Sequence, residues 1–465
     1  MFNLIQYGNR PCLEGSGGKY SYSDVQCEAD RMQIVVQARS LVLCLCENSV
    51  ESLLGYVGLL VNGQVLLLQE ADQPPAAVHA LIASYRPAYV WLSENRGREL
   101  GCTIPVYRFG HYALYRIAFE EGPPLIHERL QLLLTTSGST GSSKLVRLSR
   151  ANLLSNAAAI SSYLNIRSDD VAVTTLPFSY SFGLSIVHTH LLAGASIQVT
   201  ALTPLSRDFW TLIQQNKVTS LSGVPYTYEM LRRIKFERFE LQAIRYLSQA
   251  GGKMTEEGLA YLQKLSSEKG LRCFVMYGQT EATARMAYLP AELFERRLGS
   301  IGDAIPGGRF ELLDSTGRPI SVADVRGELV YYGANVALGY ANCAADLSRD
   351  DDWGGRLATG DVAYRDCDGF YYITGRLKRF VKIFGNRVSL DEVEALLHSA
   401  YANSEFICHG KDDCLRINYK GVIEPNSLRA FVSKQLGLHH SSISCESISV
   451  IPRLSNGKIN YSALS

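Results

Sequence analysis

The stretch that decides the fold spans residues 132–146 and reads LLLTTSGSTGSSKLV. An apolar strand feeds a loop of threonine, serine and glycine that ends at Lys144. Glycines let backbone N–H groups approach an anion closely, hydroxyls add donors, and a lysine adds charge. The loop is not a Walker A motif, because Ser143 stands where that motif needs its second glycine. The stretch therefore predicts a phosphate-binding loop, with a flexible linker as the alternative.

Short apolar runs alternate with helical patterns on both sides of this loop. The runs are rich in valine, isoleucine and leucine, and they span residues 41–46, 89–92, 171–176, 196–200, 220–224 and 245–248. Strand–helix alternation predicts parallel sheets covered by helices. From about residue 302, glycines punctuate short strands, which predicts a small antiparallel β region, and a mixed αβ tail follows Gly375. The predicted fold class is therefore α/β.

The composition excludes several classes of protein. The chain has 465 residues, of which 46% are apolar and 20% charged, as in an ordinary globular protein. The net charge of +1 gives no global electrostatic argument for nucleic acid or an anionic membrane as partner. The 11 cysteines show no spacing typical of a zinc site or a disulfide framework. Reduced thiols in the cytoplasm are the simplest account of them.

Neither the N-terminal residues nor the longest apolar stretch is typical of a membrane protein. The segment MFNLIQYGNRPCLEG lacks a basic region followed by an apolar one, so no signal peptide is evident. The apolar stretch 53–68 is interrupted by Asn62, Gly63 and Gln64, and it is shorter than the ~20 residues of a transmembrane helix. A helix, a tight turn at Asn62-Gly63 and a buried strand fit this stretch better.

Further segments follow the loop in a fixed order. They are PFSYSFG at 177–183, AGG at 250–252, YGQTE at 277–281, GSIGDAIPG at 299–307, GELVYYGANVALGY at 327–340, TGD at 359–361, YITGRLK at 372–378, KIFGNRVSLDEVE at 382–394 and PRLSNGK at 452–458. With the loop, this series resembles the motifs of the adenylate-forming enzymes, which include acyl- and aryl-CoA synthetases, adenylation domains and firefly-type luciferases. The resemblance implies a large N-terminal domain, residues 1–375, and a small mobile α+β C-terminal lid, residues 376–465.

The resemblance also implies a reaction and a nucleotide site. A carboxylate joins ATP as acyl-AMP with release of pyrophosphate, and a thiol then displaces AMP. The implied nucleotide ligands are Thr136, Ser137, Gly138, Ser139, Thr140, Gly141 and Lys144 in the phosphate loop, Gly251, Gly252 and Tyr277 at adenine, Gly278 next to Tyr277, Thr280 at the α-phosphate, Asp361 at the ribose, and Arg376 at the ribose or the phosphates. Glu281 resembles the family's Mg²⁺ ligand, and one carboxylate with phosphates and waters suits that ion.

The catalytic groups implied by the resemblance are Lys144, Thr280 and Lys458. The ammonium of Lys458 would bridge the substrate carboxylate and the α-phosphate, which lowers their repulsion as they approach. In isolation, a lysine in a Ser-Asn-Gly-Lys turn would be interpreted as a solvated side chain.

Residues near the start of the lid have implied roles in its motion and in thiol entry. Lys378 stands at the hinge about which the lid swings between adenylation and thiol transfer. The neighbouring Arg379 and the lid residue Leu390 depart from the family pattern, where an acid and a proline are usual. Gly385 would face the pantetheine tunnel, and Arg387 would meet a CoA phosphate or be a solvated surface residue.

The walls implied for the acid pocket are mostly apolar or small. They comprise Tyr180, Ser181, Phe182, Gly223, Val224, Gly252 and Met286. Such walls suit an aliphatic or aromatic carboxylic acid. Relatives that activate amino acids place an aspartate near the position of Ser181, and no carboxylate occurs here. Because an unpaired buried ammonium is costly, a free α-amino acid is disfavoured.

The thiol acceptor stays open between two chemistries. CoA is the expected acceptor, and a phosphopantetheinyl carrier protein, which delivers the same thiol, is the alternative. A catalytically inactive nucleotide-binding protein is disfavoured by the intact Lys144, Glu281, Asp361 and Lys458. A luciferase-like oxidation has no support beyond fold analogy. We expect a cytoplasmic monomer or homodimer that needs ATP and Mg²⁺, with no nucleic acid partner and no integral membrane association.

Overall fold

A computed structural model describes residues 2–36, 38–135, 144–240, 242–384, 386–401, 404–454 and 458–464. The helices are α1 (Tyr22–Val35), α2 (Val50–Val61), α3 (Pro75–Tyr85), α4 (Glu94–Glu99), α5 (Arg150–Leu164), α6 (Ser181–Ala193), α7 (Arg207–Gln215), α8 (Pro225–Arg233), α9 (Glu256–Lys269), α10 (Leu390–Ala400) and α11 (Pro425–Leu436). Short 3-10 helices span Leu4–Tyr7, Phe236–Arg238, Thr280–Ala282, Ala291–Arg296, Ala344–Ser348, His440–Ser442 and Tyr461–Leu464.

The strands are short and spread along the whole chain. They are β1 (Pro11–Gly15), β2 (Gly18–Ser21), β3 (Leu41–Cys46), β4 (Val65–Glu70), β5 (Tyr89–Ser93), β6 (Pro105–Phe109), β7 (Tyr112–Arg116), β8 (Leu130–Thr135), β9 (Leu145–Ser149), β10 (Val171–Val173), β11 (Ser196–Gln198), β12 (Ser220–Gly223), β13 (Tyr246–Gln249), β14 (Arg272–Tyr277), β15 (Ala287–Leu289), β16 (Asp303–Ala304), β17 (Gly308–Leu313), β18 (Gly327–Gly333), β19 (Gly339–Ala341), β20 (Arg356–Arg365), β21 (Tyr371–Arg376), β22 (Phe380–Ile383), β23 (Asn386–Ser389), β24 (Glu405–Lys411), β25 (Cys414–Lys420) and β26 (Ile443–Ser447).

The chain divides into two compact units. The first comprises Met1–Arg309 and Tyr332–Leu357, and the second comprises Phe310–Tyr331 and Ala358–Ser465. The predicted boundary between residues 375 and 376 marks the start of the segment expected to move as the lid. That boundary stays a prediction.

An eight-stranded sheet in the first unit has the order β19-β9-β8-β4-β3-β5-β7-β6. Its centre, β8-β4-β3-β5, is parallel, and antiparallel strands flank it on both sides. Strand β3, LVLCLC, is buried along its whole length. An uninterrupted apolar strand is what a parallel sheet covered on both faces requires. Cys44 and Cys46 are buried free thiols in this strand.

The apolar stretch 53–68 forms a helix, a turn and a strand. Helix α2 ends at Val61, Gly63 has a φ of +77°, and β4 begins at Val65. A Cβ on Gly55 of α2 would lie 2.1 Å from the Trp91 ring, so a glycine is needed for the close packing of helix on sheet. Over the described ranges, no helix combines the length and the apolar character needed to cross a membrane.

Two further sheets complete the first unit. The order β12-β13-β14-β15-β16 has three parallel strands followed by two antiparallel ones, and β10-β11-β1-β2 is a smaller mixed sheet. In the second unit, β20 and β21 pair antiparallel in the four-stranded sheet β17-β18-β20-β21. That unit also holds the pair β22-β23 and the sheet β24-β25-β26, whose core includes residues of α10 and α11. The predicted α/β fold class is confirmed.

A buried histidine–tyrosine pair joins α2 to α6. His188 is 2% exposed, and its Nε2 lies 2.7 Å from the hydroxyl oxygen of Tyr56. Burial lowers the pKa of His188 from 6.5 to about 3. The folded protein therefore keeps this imidazole neutral at pH values at which the unfolded chain protonates it.

We expect this histidine to lower stability as the pH falls below 6.5. The unfolded chain gains a proton there and the folded chain does not, which costs up to about 1.4 kcal/mol per pH unit. His188→Gln removes the titration while keeping a polar side chain. Urea unfolding should show the stability difference, wild type minus variant, falling by about 2 kcal/mol between about pH 7.5 and about pH 5. A pH-independent difference would contradict this account.

Candidate active site

A sharp reversal follows the YGQTE segment. The chain leaves β14 at Tyr277, makes the 3-10 helix Thr280–Ala282, and turns back at Thr283, which has a φ of +68° and a ψ of −63°. The Ala284 N–H donates to the Ala282 carbonyl at 2.7 Å, which closes a three-residue γ-turn. A γ-turn of this hand is rare and strained, above all for a β-branched residue.

The motif 327–340 holds this reversal in place. The Asn335 amide donates to the carbonyls of Ala282 and Arg285, each at 2.9 Å. The Thr283 hydroxyl donates to the Asn335 carbonyl at 2.7 Å. The Ala337 N–H donates to the carbonyl of Glu281 at 2.9 Å. Two motifs about fifty residues apart are thus joined at the strained turn by three hydrogen bonds from side chains and one between backbone groups.

Helix α5 supports both segments from behind. Ser149 and Asn152 form a capping box at its start, directly after β9. The Asn152 amide also donates to the carbonyls of Ala334 and Val336, at 2.8 and 2.7 Å. One turn later the Asn156 amide donates to the Arg285 carbonyl at 2.8 Å. The helix that follows the phosphate loop therefore positions the reversal and the segment that clamps it.

Gly278 permits the close approach of the two arms of the reversal. A Cβ at this position would lie 1.8 Å from the Ala284 carbonyl oxygen and 2.8 Å from the Cα of Arg285. A side chain there would force the arms apart. The Met286 N–H then donates to the Tyr277 carbonyl at 2.8 Å, and β15 pairs antiparallel with β14.

Lys144, Tyr340 and Glu281 meet beside this turn. The Tyr340 hydroxyl donates to Glu281 Oε1 at 2.9 Å, and Lys144 Nζ lies 3.5 Å from the centroid of the Tyr340 ring. Burial, together with the charge of Glu281, raises the pKa of Tyr340, so its hydroxyl remains a proton donor. Lys144 and Glu281 were predicted as site residues from the sequence. Tyr340, which contacts both, was not.

An open pocket of about 400 Å³ lies next to Lys144. It is lined by Lys144, Tyr340, Asn342, Arg349, Asp352 and Trp353. Its size is within the range of small-molecule sites, about 300–1,000 Å³. The loop residues Thr136, Ser137, Gly138, Ser139, Thr140 and Gly141 lie outside the described residues, so their predicted phosphate contacts stay predictions.

The predicted acid wall converges on Phe182. Ser181 Oγ lies 3.2 Å from Thr280 Oγ1, which joins the start of α6 to the YGQTE segment. Phe182 packs in one apolar cluster with Val224. A Cβ on Gly251 would lie 3.1 Å from Val224 Cγ1 and 4.0 Å from Phe182 Cδ1. These residues therefore form one wall beside the Thr280 hydroxyl.

The other predicted wall residues lie close to this group in the fold. Tyr180 precedes the first turn of α6, Gly223 ends β12, Gly252 packs near Pro225, and Met286 is fully buried opposite Tyr277. Tyr277 accepts a hydrogen bond at 3.4 Å from the Gln279 amide.

A buried arginine at this wall, Arg285, was not predicted from the sequence. Arg285 is 3% exposed, and its guanidinium carbon lies 3.8 Å from the centroid of the Phe182 ring. Burial lowers the pKa of Arg285 to about 10, which leaves it charged at neutral pH. The signal available in the sequence was one cation in the otherwise apolar run that follows YGQTE.

In the second unit, Asp361 and Arg376 form an ion pair. They are register partners on β20 and β21, and Arg376 Nε donates to Asp361 Oδ1 at 2.9 Å. Asp361 is 2% exposed, and its N–H donates to the Thr359 hydroxyl at 3.1 Å. The backbone N–H of Arg376 donates to Asp391 at 2.9 Å.

Lys378 is exposed, whereas its neighbour Arg379 is held by residues of α10 and β24. Arg379 pairs with Asp391 and with both oxygens of Glu394, and it donates to the Cys408 carbonyl at 3.1 Å. Its guanidinium also lies 4.9 Å from the Tyr461 ring centroid. The departure from the family pattern at Arg379 is therefore matched by two local acids.

The last predicted site residues are only partly described. The Lys458 carbonyl accepts from the Leu454 N–H at 2.8 Å, and Arg453 forms an antiparallel bridge with Ile459. Arg453 also pairs with Glu405 of β24 at 3.1 Å. Gly385 and the side chain of Arg387 lie outside the described residues.

Residues 3–341 match the family described as AMP-binding enzyme. The chain belongs to this family. It is 25% identical to 4-coumarate-CoA ligase 1 of Narcissus pseudonarcissus, over 98% of this chain and 90% of that one. It is 27% identical to a sulfoacetate–CoA ligase of Cupriavidus necator, over 91% of this chain and 86% of that one.

Solved structures share the fold over nearly all of the chain. The o-succinylbenzoate CoA synthetase of Bacillus subtilis, in complex with its acyl-adenylate intermediate, matches with a TM-score of 0.78 and 18% identity, over 100% of this chain and 98% of that one. ATP-bound MatB of Rhodopseudomonas palustris matches with a TM-score of 0.79 and 22% identity, over 99% of this chain and 97% of that one. These likenesses show the fold.

The acidic residues present fit a magnesium ion held mainly by substrate. Glu281 supplies one carboxylate, of which Oε1 already accepts from Tyr340. In the described part of the chain, no group of three or more histidine, cysteine or acidic side chains is placed to hold a metal. Mg²⁺ is commonly bound by one or two carboxylates together with phosphates and waters, so a single glutamate suits it.

We expect the Asn335 clamp to carry a measurable share of stability. Asn335→Ala removes both donors from the turn and leaves the Ala282 carbonyl without this partner, which should lower the free energy of unfolding by about 2 kcal/mol. Asn335→Asp keeps the shape, lacks the donors, and should show a similar loss. Urea unfolding measures both, with the exposed Asn342→Ala as control. Stability within about 0.5 kcal/mol of wild type in both variants would contradict the clamp.

Proposed function

We propose that the chain is an ATP-dependent acid–thiol ligase that activates a carboxylic acid as acyl-AMP and transfers the acyl group to CoA. The observation that carries this proposal is the cluster of Lys144, Tyr340 and Glu281 in a chain that belongs to the AMP-binding enzymes. The matched relatives named for 4-coumarate, sulfoacetate and oxalate differ in acid and share CoA ligation. The shared CoA ligation supports the proposed reaction. It does not indicate which acid this protein uses.

The first half-reaction brings two anions together. The substrate carboxylate must attack an α-phosphate that already carries negative charge, so cations and fixed dipoles must surround the reacting atoms. The Lys144 ammonium would lie against the triphosphate, and the Thr280 hydroxyl would donate to the α-phosphate. Glu281 would hold Mg²⁺, which when bound neutralises phosphate charge. The ring of Tyr340 under Lys144 and its hydroxyl on Glu281 keep both side chains aimed at one place.

The residues proposed to bind the ribose, and the catalytic Lys458, lie in the second unit. Asp361 would accept both ribose hydroxyls, because one carboxylate offers two oxygens. Arg376 orients Asp361 by donating a hydrogen bond to its Oδ1. Asp361 would accept this bond and those from the sugar at the same time. Lys458 would bridge the substrate carboxylate and the α-phosphate, and Gly385 and Arg387 would meet the pantetheine arm.

Two anchors on either side of Lys378 support its role as the hinge. The Leu377 N–H donates to the Gly360 carbonyl at 2.8 Å, which ties that residue to β20. Arg379 is tied to Asp391 and Glu394 of α10. Between them lies the exposed Lys378, just past the end of β21 as is typical of hinge residues, and a backbone hydrogen bond from the Arg379 N–H to the Arg376 carbonyl spans it at 3.2 Å.

Pyrophosphate release across a panel of carboxylic acids tests the proposed reaction, followed by AMP and thioester measurements with CoA or a carrier protein. Lys458→Ala should lower adenylation by about 100-fold or more, yet retain thioester formation from supplied acyl-AMP. The matched control is the exposed Lys434→Ala in α11.

The outcomes of that experiment separate the alternatives. Pyrophosphate release followed by acyl-CoA formation supports the proposal. Thioester formed on a carrier protein and not on CoA would favour the carrier-loading alternative. Nucleotide binding without pyrophosphate release for any acid would favour an inactive nucleotide-binding protein. Equal loss of both half-reactions in Lys458→Ala would remove the role assigned to Lys458.

Freezing the hinge should affect the second half-reaction more than the first. Lys378→Pro locks φ near −65°, and we expect thioester formation to fall about tenfold more than pyrophosphate release. Lys378→Ala, which removes the side chain but leaves the backbone free, should lose less of the thioester step than the proline variant. Single-turnover assays of each step measure this. Equal effects of proline and alanine would contradict a backbone hinge at this residue.

A further inference from the structure

Arg285 is a buried cation for which the described chain supplies no acid. Its side chain is 3% exposed, and its Nε–H is buried without a hydrogen-bond partner. Its one hydrogen bond from the guanidinium runs from Nη1 to the adjacent Ala284 carbonyl at 3.4 Å, which is long. A guanidinium has five N–H donors, so most of its binding capacity is unused.

A second buried arginine shows how the same chain satisfies such a group. Arg147 is 0% exposed, and it pairs with Asp352 at 2.6 Å. It also donates to the carbonyls of Tyr340 and Leu338, each at 3.1 Å. A buried charge is normally paired and hydrogen-bonded in this way, because desolvation is costly. Arg285 is the exception that needs an explanation.

The backbone around Arg285 fixes where its side chain can act. Its carbonyl accepts from Asn156 at 2.8 Å and from Asn335 at 2.9 Å, and its N–H donates to Asn156 at 3.3 Å. Gly278, of the YGQTE segment, packs against its Cα. The backbone of Arg285 is therefore held at the strained reversal.

The guanidinium lies on the wall assigned to the acid. It stacks on Phe182 with 3.8 Å from its central carbon to the ring centroid. Phe182 follows Ser181, whose hydroxyl lies 3.2 Å from that of Thr280, the residue expected at the α-phosphate. Stacking on an aromatic face leaves the edge of the guanidinium available for a planar oxyanion, which it can bind with two parallel hydrogen bonds.

We propose that the acid activated by this protein carries a second anionic group, a carboxylate or a sulfonate, and that Arg285 binds it while the reacting carboxylate faces Thr280. The proposal rests on the acid–thiol ligase function proposed above. The guanidinium keeps its charge at neutral pH, because its pKa, lowered by burial, is still about 10. An apolar acid would leave this charge unpaired in the bound complex, and an ammonium group would be repelled by it.

Matched pairs of acids test the proposal. The probes are succinate with butyrate, glutarate with pentanoate, and terephthalate with 4-methylbenzoate, and 3-sulfopropanoate is the sulfonate arm. Each is assayed for kcat/KM of pyrophosphate release and, without turnover, for the shift it causes in the melting temperature. We expect at least one diacid to exceed its monoacid by about tenfold or more in kcat/KM and to raise the melting temperature further.

Variants of Arg285 assign the preference to this side chain. Arg285→Leu should lower the ratio of diacid to monoacid kcat/KM by about 100-fold without lowering the melting temperature of the free protein, because an uncompensated charge is removed. Arg285→Lys keeps the charge without the two-pronged geometry and should retain part of the ratio. The control is Arg272→Leu, which removes a part-exposed arginine 5.4 Å from the Phe274 ring centroid and should leave the ratio unchanged.

The results distinguish this inference from the proposed function. A preference shared by 3-sulfopropanoate, or confined to the dicarboxylates, supports the inference and names the anion. Monoacids used and bound as well as their diacids would overturn it while leaving the ligase function intact. A ratio that Arg285→Leu leaves unchanged would also overturn it. Diacid binding without pyrophosphate release from any acid would count against the ligase function alone.

Discussion

The reversal of the chain at Thr283 is the constraint on which the candidate site depends. A β-branched residue in a γ-turn with a φ of +68° is strained, and it is held by the Asn335 amide and carbonyl. The turn lies in the connection 278–286, after which β15 runs back antiparallel along β14. It thereby aims Glu281 at Tyr340 on one arm and Arg285 at Phe182 on the other.

The charges around this turn are arranged in two ways. Lys144, Tyr340 and Glu281 form a half-exposed group whose members are linked to one another beside an open pocket. Such a group remains hydrated and costs little when no ligand is bound. Arg285 is desolvated in the folded protein and has no acidic partner among the described residues. The burial of the Arg285 charge therefore lowers the stability of the folded protein. Such a cost is common where the geometry of a binding site is set before the ligand binds.

Local pattern was sufficient for most of the fold and for part of the site. The run LVLCLC and the interruption at Asn62-Gly63 predicted β3 and the α2–β4 turn, because they depend on neighbouring residues. Motif order was sufficient to place Lys144 and Glu281, and Asp361 with Arg376. Asn335, Tyr340 and Arg285 were missed, since each acts through a contact with a residue distant in the sequence. No local pattern indicates that a threonine takes a positive φ when an asparagine about fifty residues later supports it.

The buried arginine changes the interpretation of the acid pocket. Phe182 and Val224 pack in one apolar cluster, and an apolar wall by itself favours an uncharged tail. An apolar wall also lowers the local dielectric, and this strengthens the attraction between Arg285 and any anion that reaches it. The same surroundings make an unpaired Arg285 costly in the complex with an uncharged tail. Sites that contain a buried polar group reject ligands that lack its partner far more strongly than apolar pockets reject a ligand of slightly wrong size. Apolar walls and one buried cation therefore act together to select charge at the far end of the acid.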